Sequence, residues 1–133
     1  MLYSKDGDSM AQTQDNFKRG TAEFLILSLL NEGEPMHGYR ITQEMAARSG
    51  GRYTMLEGTL YLILMRMEEE GLLEGRVALV GKKRKRKYYC ITQKGKEQLA
   101  CLLHEFDEIM CGIELILRRK EAHADASGSP AIS

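Results

Sequence analysis

The most constraining feature of this sequence is a regular spacing of apolar residues in its C-terminal third. Six of them follow one another at intervals of 3, 4, 3, 4 and 3 residues: Leu99, Leu102, Phe106, Ile109, Ile113 and Ile116. This alternation is the a/d seam of a coiled coil, so it predicts a helix whose apolar stripe needs a partner. A second copy of the chain is the simplest partner, which predicts a homodimer. The alternative is that the stripe packs on its own domain.

Glycine-bounded apolar segments predict two helices near the N-terminus. The segment from about Phe17 to Asn31 contains a nearly continuous apolar stretch, is too long for an ordinary strand, and ends before Gly33. A second helix is expected from about His37 to Ser49, because Ile41 and Met45 share one face and two glycines follow. These segments predict the first half of a small helical domain.

A third helix and two strands complete the predicted domain. The helix runs from about Glu57 to Glu70 and presents a core face at helical spacing, formed by Leu60, Leu64 and Met67. Leu72–Val80 and Arg86–Thr92 are short segments rich in Val, Ile, Leu and Tyr. A glycine and a run of basic residues separate them, so they predict an antiparallel hairpin with a basic tip.

The order of these elements predicts a mainly α fold with a small β-hairpin (α+β). Its parts are a winged helix-turn-helix domain at residues 16–92 and a dimerisation helix at 93–121, for which Thr92 is the expected N-cap. Residues 1–15 are predicted to be a flexible arm and residues 122–133 a disordered tail, because both are polar and lack an apolar period.

The basic run between the two strands is the strongest electrostatic signal in the chain. The formal net charge is +0, but six consecutive basic residues occupy Lys82–Lys87. Such a cluster at a hairpin tip can neutralise DNA phosphates, since local charge counts within a Debye length of about 8 Å. The predicted contacts are Lys83, Arg84, Lys85, Arg86 and Lys87. A solvated disordered loop and a nuclear-localisation-like cluster are the alternatives.

The start of the third helix carries residues suited to a DNA groove. Gly58 allows a phosphate to approach the backbone, Thr59 can bond a phosphate or a base edge, and the Tyr61 hydroxyl can bond a phosphate oxygen. The alternative is that Tyr61 is a partly buried core residue and that Gly58 and Thr59 merely begin a helix. Four such residues occur often by chance.

Other functional classes lack support in the sequence. The three cysteines show no C-x-x-C spacing, which predicts neither a disulfide framework nor a metal site, and the histidines have no companion catalytic motif. We therefore expect no enzyme activity and no cofactor. No apolar run approaches the roughly 20 residues of a membrane span, so we expect a cytoplasmic protein that does not contact membranes.

Three stretches together resemble the PadR family of transcription regulators, over about residues 20–117. They are Met36 to Ile41, Gly58 to Tyr61 followed by Met67 to Leu73, and Arg86 to Thr92 followed by Gly95. Their combination, in this order and spacing, is much more specific than any one of them. Glu57 departs from the family pattern, which has proline before the Gly-Thr-Leu-Tyr sequence.

The resemblance implies a dimeric winged-helix repressor of a pseudo-palindromic operator, with Tyr39, Thr59 and Tyr61 near double-stranded DNA. The single C-terminal helix resembles the small-sized branch of the family, in which some members bind flat aromatic drugs or phenolic compounds between the two helices. In this chain Phe106 and Met110 would line such an effector pocket, although the sequence has no Trp for stacking. A helical protein-interaction module that uses the winged helix as a scaffold is the alternative function.

Overall fold

A computed structural model describes residues 20–126, with side chains described for residues 20–118. Residues 20–30 are helical and form α1. The elements after it are β1 (Met36–His37), α2 (Gly38–Arg48), α3 (Glu57–Glu69), β2 (Leu73–Val80), β3 (Arg84–Ile91) and α4 (Gln93–Ala126). The predicted arm at residues 1–15 lies outside the described residues.

The strands form one antiparallel sheet with the order β1-β3-β2. β2 and β3 pair from Leu73 opposite Ile91 to Val80 opposite Arg84, and β1 pairs Met36 with Tyr89. The α+β winged-helix fold class predicted from the sequence is therefore present. The two-residue strand β1 was not predicted, because so short a strand has no periodicity of its own.

The core lies between the helices and one face of the sheet. It consists of large apolar side chains from every element, and those with almost no exposed surface are Ile26, Leu27, Leu30, Ile41, Leu60, Leu64 and Met67. The three residues predicted for the core face of α3 are all in this group. Burial of one such side chain stabilises the fold by about 1.5–3 kcal/mol, so this cluster holds α1, α2 and α3 together.

Gly71 ends α3 and turns the chain into the hairpin. Its φ of 80° is in the left-handed region, where glycine has no Cβ to clash. The Gly71 N–H donates to the Glu68 carbonyl at 3.0 Å and the Leu72 N–H donates to the Met67 carbonyl at 2.9 Å, which together form a Schellman motif. The predicted helix stop is confirmed, and it points Leu72 and Leu73 into the core.

The basic run lies mainly in a strand, which corrects the predicted basic tip. Only residues 81–83 form the turn, and β3 already begins at Arg84. Lys and Arg are not typical strand residues, but the apolar partners across β2 and the register set by the buried Tyr89 extend the pairing outward. The charges therefore line a strand as well as its turn.

Thr92 connects the hairpin to α4 and acts as its N-cap, as predicted. The Thr92 Oγ1 accepts a hydrogen bond from the Gly95 N–H at 3.0 Å. The same hydroxyl lies 2.7 Å from the Gly71 carbonyl oxygen, to which it donates. A Cβ on Gly95 would meet the Leu72 carbonyl oxygen, so glycine is needed where α4 passes the end of α3.

The chain divides into two compact units, the first ending at Leu99 and the second beginning at Ala100. The second unit is the remainder of α4, a single helix that continues to Ala126. The predicted disordered tail at 122–133 is therefore wrong for residues 122–126, and residues 127–133 lie outside the described residues. Three alanines among residues 122–126 favour helix, which accounts for the extension. No helix among the described residues is long and apolar enough to cross a membrane.

Candidate nucleic-acid interface

Gly38 and Tyr61 bring the first turns of α2 and α3 together. A Cβ on Gly38 would lie 2.8–3.0 Å from the ring and hydroxyl atoms of Tyr61, so only glycine lets this ring lie against α2. Tyr61 remains 39% exposed. Both alternatives raised by the sequence thus apply in part, since the ring packs on the protein while the side chain still reaches the surface.

The Tyr61 hydroxyl stays protonated in this environment. Burial raises its pKa, and the neighbouring Glu57 carboxylate raises it further by its charge and by a hydrogen bond, while Arg86 opposes the shift. A protonated hydroxyl can donate to an acceptor such as a phosphate oxygen. Glu57 adds negative charge beside this donor, at the position where the sequence departs from the PadR pattern that it resembles.

The outer face of α3 is exposed along its length. Gly58 and Thr59 are exposed in its first turn, and a Cβ on Gly58 would meet no atom within 4 Å. Leu62 and Arg66 continue the same face at i+3 and i+7 from Thr59, and Leu62 is 67% exposed. Thr59, Leu62 and Arg66 thus present a hydroxyl, an aliphatic group and a guanidinium to solvent, where a DNA groove can approach them.

The hairpin divides its basic residues between two faces of β3. Alternation along the strand puts Arg84 and Arg86 on the face of Tyr88, and Lys85 and Lys87 on the face of the buried Tyr89. In the part of the chain whose side chains are described, no ion pair involves Lys82, Lys83, Arg84 or Lys85. The turn and the outer end of β3 therefore present uncompensated positive charge.

Lys87 has a partner inside the protein. Its Nζ lies 2.8 Å from Glu68 Oε1 on α3 and 5.5 Å from the centre of the Tyr89 ring. The Lys87 side chain crosses Gly75, where a Cβ would meet it. In this state the ammonium ties the hairpin to α3, so Lys87 differs from the other residues predicted to contact DNA.

His37 is a member of this surface that the sequence analysis did not identify. It caps α2 by accepting a hydrogen bond from the Arg40 N–H at 3.2 Å, and its Nε2 lies 3.4 Å from Arg86 Nη1. Its ring stacks beside that of Tyr39 and meets Tyr88 edge-on, with centroids 6.5 and 5.6 Å away. The only signal in the sequence was its place next to Gly38, because histidine is not a typical helix cap.

The predicted dimer seam has one member that is already buried. Leu99 is 4% exposed and lies in the first unit, which leaves it little surface for a second chain. Leu102 is half-buried, whereas Phe106, Ile109, Ile113 and Ile116 are 39–70% exposed. Met110, the other residue suggested for an effector pocket, is 37% exposed. The seam is thus available from Leu102 onward.

A helix-turn-helix followed by a cationic two-stranded hairpin defines the class of winged helix-turn-helix regulators. Residues 26–101 match the model of the PadR-like family of transcriptional regulators. The chain belongs to this family, as the three sequence stretches indicated. The family consists of transcriptional regulators rather than enzymes. A regulator is also the functional class that the sequence predicts. Among the described residues no three His, Cys, Asp or Glu side chains are grouped for a metal ion.

Individual relatives resemble the chain to different extents. The crystal structure of a PadR family transcriptional regulator from Eggerthella lenta superposes with a TM-score of 0.71 at 27% identity, covering 86% of this chain and 97% of that one. Bacillus subtilis PadR in complex with operator DNA superposes with a TM-score of 0.58 at 29% identity, covering 62% and 45%. The negative transcriptional regulator PadR of Bacillus subtilis is 31% identical over 77 residues, which are 58% of this chain and 42% of that protein.

Proposed function

We propose that the protein is a repressor that binds a pseudo-palindromic operator in double-stranded DNA as a homodimer. The single observation that carries this proposal is that the outer face of α3 and the cationic turn and outer end of the hairpin are both exposed. In this arrangement α3 enters the major groove and the hairpin follows the adjacent backbone. The structure of Bacillus subtilis PadR in complex with operator DNA supports DNA binding by the related fold.

Each part of the surface has a role set by its chemistry. Thr59, Leu62 and Arg66 lie towards base edges, since a hydroxyl and an aliphatic group suit thymine and a guanidinium suits guanine. Tyr39, Gly58 and Tyr61 lie towards the phosphates, and the Tyr61 hydroxyl donates to a phosphate when it leaves Glu57. Lys83, Arg84, Lys85 and Arg86 neutralise backbone charge, and Lys87 joins them only when it leaves Glu68.

The homodimer follows from the exposed apolar seam of α4. Ile109 and Ile116 are 63% and 70% exposed in the single chain, and a helix rarely leaves such a stripe in water. Pairing two α4 helices buries the stripe and joins two winged-helix domains in one molecule. Binding of a pseudo-palindromic operator requires the two α3 helices to lie about one DNA turn, roughly 34 Å, apart.

A small aromatic effector that binds between the paired α4 helices would regulate DNA binding. Phe106 and Met110 offer an aromatic ring and a polarisable thioether on the same helix, one turn apart. A ligand that favours another separation of the two α3 helices would release the operator by shifting the population of dimer conformations. Release of bound DNA by phenolic or flat aromatic compounds, lost on Phe106→Ala, is the test of this part.

The experiment for the main proposal is a gel shift with the region upstream of the gene, titrated with salt. We expect retardation at low salt and a steep loss of affinity as salt rises, because phosphate contacts release counterions. Binding-site selection from random duplexes then gives the operator. Absence of retardation at low salt, together with failure of the selection, would contradict the proposal.

A protein-interaction module that uses the winged helix as a scaffold is the competing function. The exposed stripe of α4 would then bind a different protein. The basic residues of the hairpin would not contact DNA. Sedimentation at several concentrations separates the two, since a stable monomer that ignores every duplex favours the module.

A further inference from the structure

His37 faces two hydrogen-bond donors, and its ring cannot accept a hydrogen bond from both of them. The backbone N–H of Arg40 points at its Nδ1, and the guanidinium of Arg86 points at its Nε2. Arginine and a backbone N–H only donate, whereas a neutral imidazole has one accepting nitrogen and one N–H. Whichever tautomer forms, one ring N–H faces another donor.

The N-cap decides which tautomer the free protein prefers. Accepting from Arg40 satisfies a helix N–H that would otherwise have no partner in the first turn of α2. Nδ1 is then the acceptor and Nε2 carries the proton. This leaves an N–H of His37 and an N–H of Arg86 pointing at each other on the half-buried side of the hairpin, 3.4 Å apart between nitrogens.

We propose that a DNA phosphate resolves this conflict by accepting one hydrogen bond from His37 Nε2 and another from the Arg86 guanidinium. An anionic oxygen is the ligand that both donors require, and the duplex offers one on every nucleotide. The inference rests on the proposed DNA-binding function and adds His37 to it as a contact residue. Arg86 and His37 then hold the same phosphate from the hairpin and from the start of α2.

The contact uses the neutral imidazole. In the free protein burial lowers the pKa of His37, the charges of Arg86 and Arg40 lower it further, and Glu57 opposes them. A second proton would lie on Nδ1, where it would face the Arg40 N–H and remove the cap bond. The neutral tautomer with its proton on Nε2 keeps the cap and donates to the phosphate at the same time.

His37→Asn is the variant that separates the phosphate contact from the helix cap. Asparagine is a preferred N-cap residue, so it keeps the bond to Arg40, but it is too short to replace Nε2. The probe is a duplex selected with the wild-type protein, measured by fluorescence anisotropy. We expect an affinity loss of about tenfold, the usual effect of a hydrogen bond to a charged group. His104→Asn, at an exposed histidine of α4, is the matched control and should bind as the wild type.

A scan with methylphosphonate duplexes, neutral at one phosphate at a time, provides the decisive readout. One neutral position should weaken the wild-type protein much more than His37→Asn, because only the Arg86 contact to that phosphate remains in the variant. An unchanged affinity of His37→Asn, or equal sensitivity of both proteins at every phosphate, overturns the inference alone. A wild-type protein that binds no duplex overturns the proposed function as well.

Discussion

At the scale of single residues, Gly58 separates the demands of folding from those of DNA binding. A Cβ added at Gly58 would point into open space, so the fold does not require glycine at this position. We expect Gly58→Ala to raise the free energy of unfolding by about 0.5 kcal/mol, since alanine favours helix. The same methyl group would meet the approaching phosphate and lower DNA affinity. Urea denaturation and anisotropy measure the two effects, and unchanged affinity would remove Gly58 from the interface.

Thr92 provides a second test at this scale, and it concerns stability. Thr92→Ala removes the acceptor for the Gly95 N–H and the donor to the Gly71 carbonyl. We expect the free energy of unfolding to fall by about 1–2 kcal/mol, the usual cost of losing an N-cap. Thr92→Ser keeps the hydroxyl and should cost much less in the same urea titration. Equal losses in the two variants would show that the cap contributes nothing.

The role of a residue was predictable when it depends on neighbours in the sequence. It was not predictable when it depends on a contact with a residue far away in the sequence. Thr92 and Gly71 have the types that a cap and a helix stop require, so the sequence was sufficient for both. The role of His37 depends on Arg86, which comes 49 positions later in the chain. No local pattern contains that contact, and the pairing of Lys87 with Glu68 escaped prediction for the same reason.

At the scale of elements, the hairpin offers a comparison between free and paired charges. Reversing Lys83, Arg84 and Lys85 to glutamate should weaken DNA binding and flatten the slope of log K against log salt by about 2 to 3, one for each lost phosphate contact. Lys87→Ala removes a charge that Glu68 already holds and should change the slope far less. A salt titration by anisotropy measures all three proteins. An unchanged slope after the triple reversal would refute the hairpin's role.

Most elements were predicted correctly, but the ends of the strands and of α4 were not. Helices α2 and α3 begin and end within a residue or so of their predicted limits, because glycines mark those ends. The first two residues of β3, Arg84 and Lys85, were assigned to the turn, since consecutive cations resemble solvated loop. Their strand conformation comes from pairing with Val80 and Leu79, which the sequence of β3 alone does not show.

At the scale of the whole molecule, the assembly can be tested with two charges placed on different faces of α4. Ile113 belongs to the seam, and Leu115 is an equally apolar, exposed residue outside it. We expect Ile113→Asp to dissociate the dimer in sedimentation experiments, because it buries an unpaired carboxylate in the interface. Leu115→Asp should leave the dimer intact. Dissociation of both variants, or of neither, would contradict pairing through this seam.

The unpaired turn at residues 81–83 also determines how the protein responds to proteases. Trypsin cleaves after lysine or arginine and needs a locally extended, accessible backbone. Of the six consecutive basic residues, only Lys82 and Lys83 lie in the turn, whereas the others belong to a ladder with β2. Brief digestion should therefore nick the hairpin first at its end, and the ladder should keep the two fragments together. Bound duplex should slow cleavage at the turn, so the cleavage rate reports the fraction of protein that is bound to DNA.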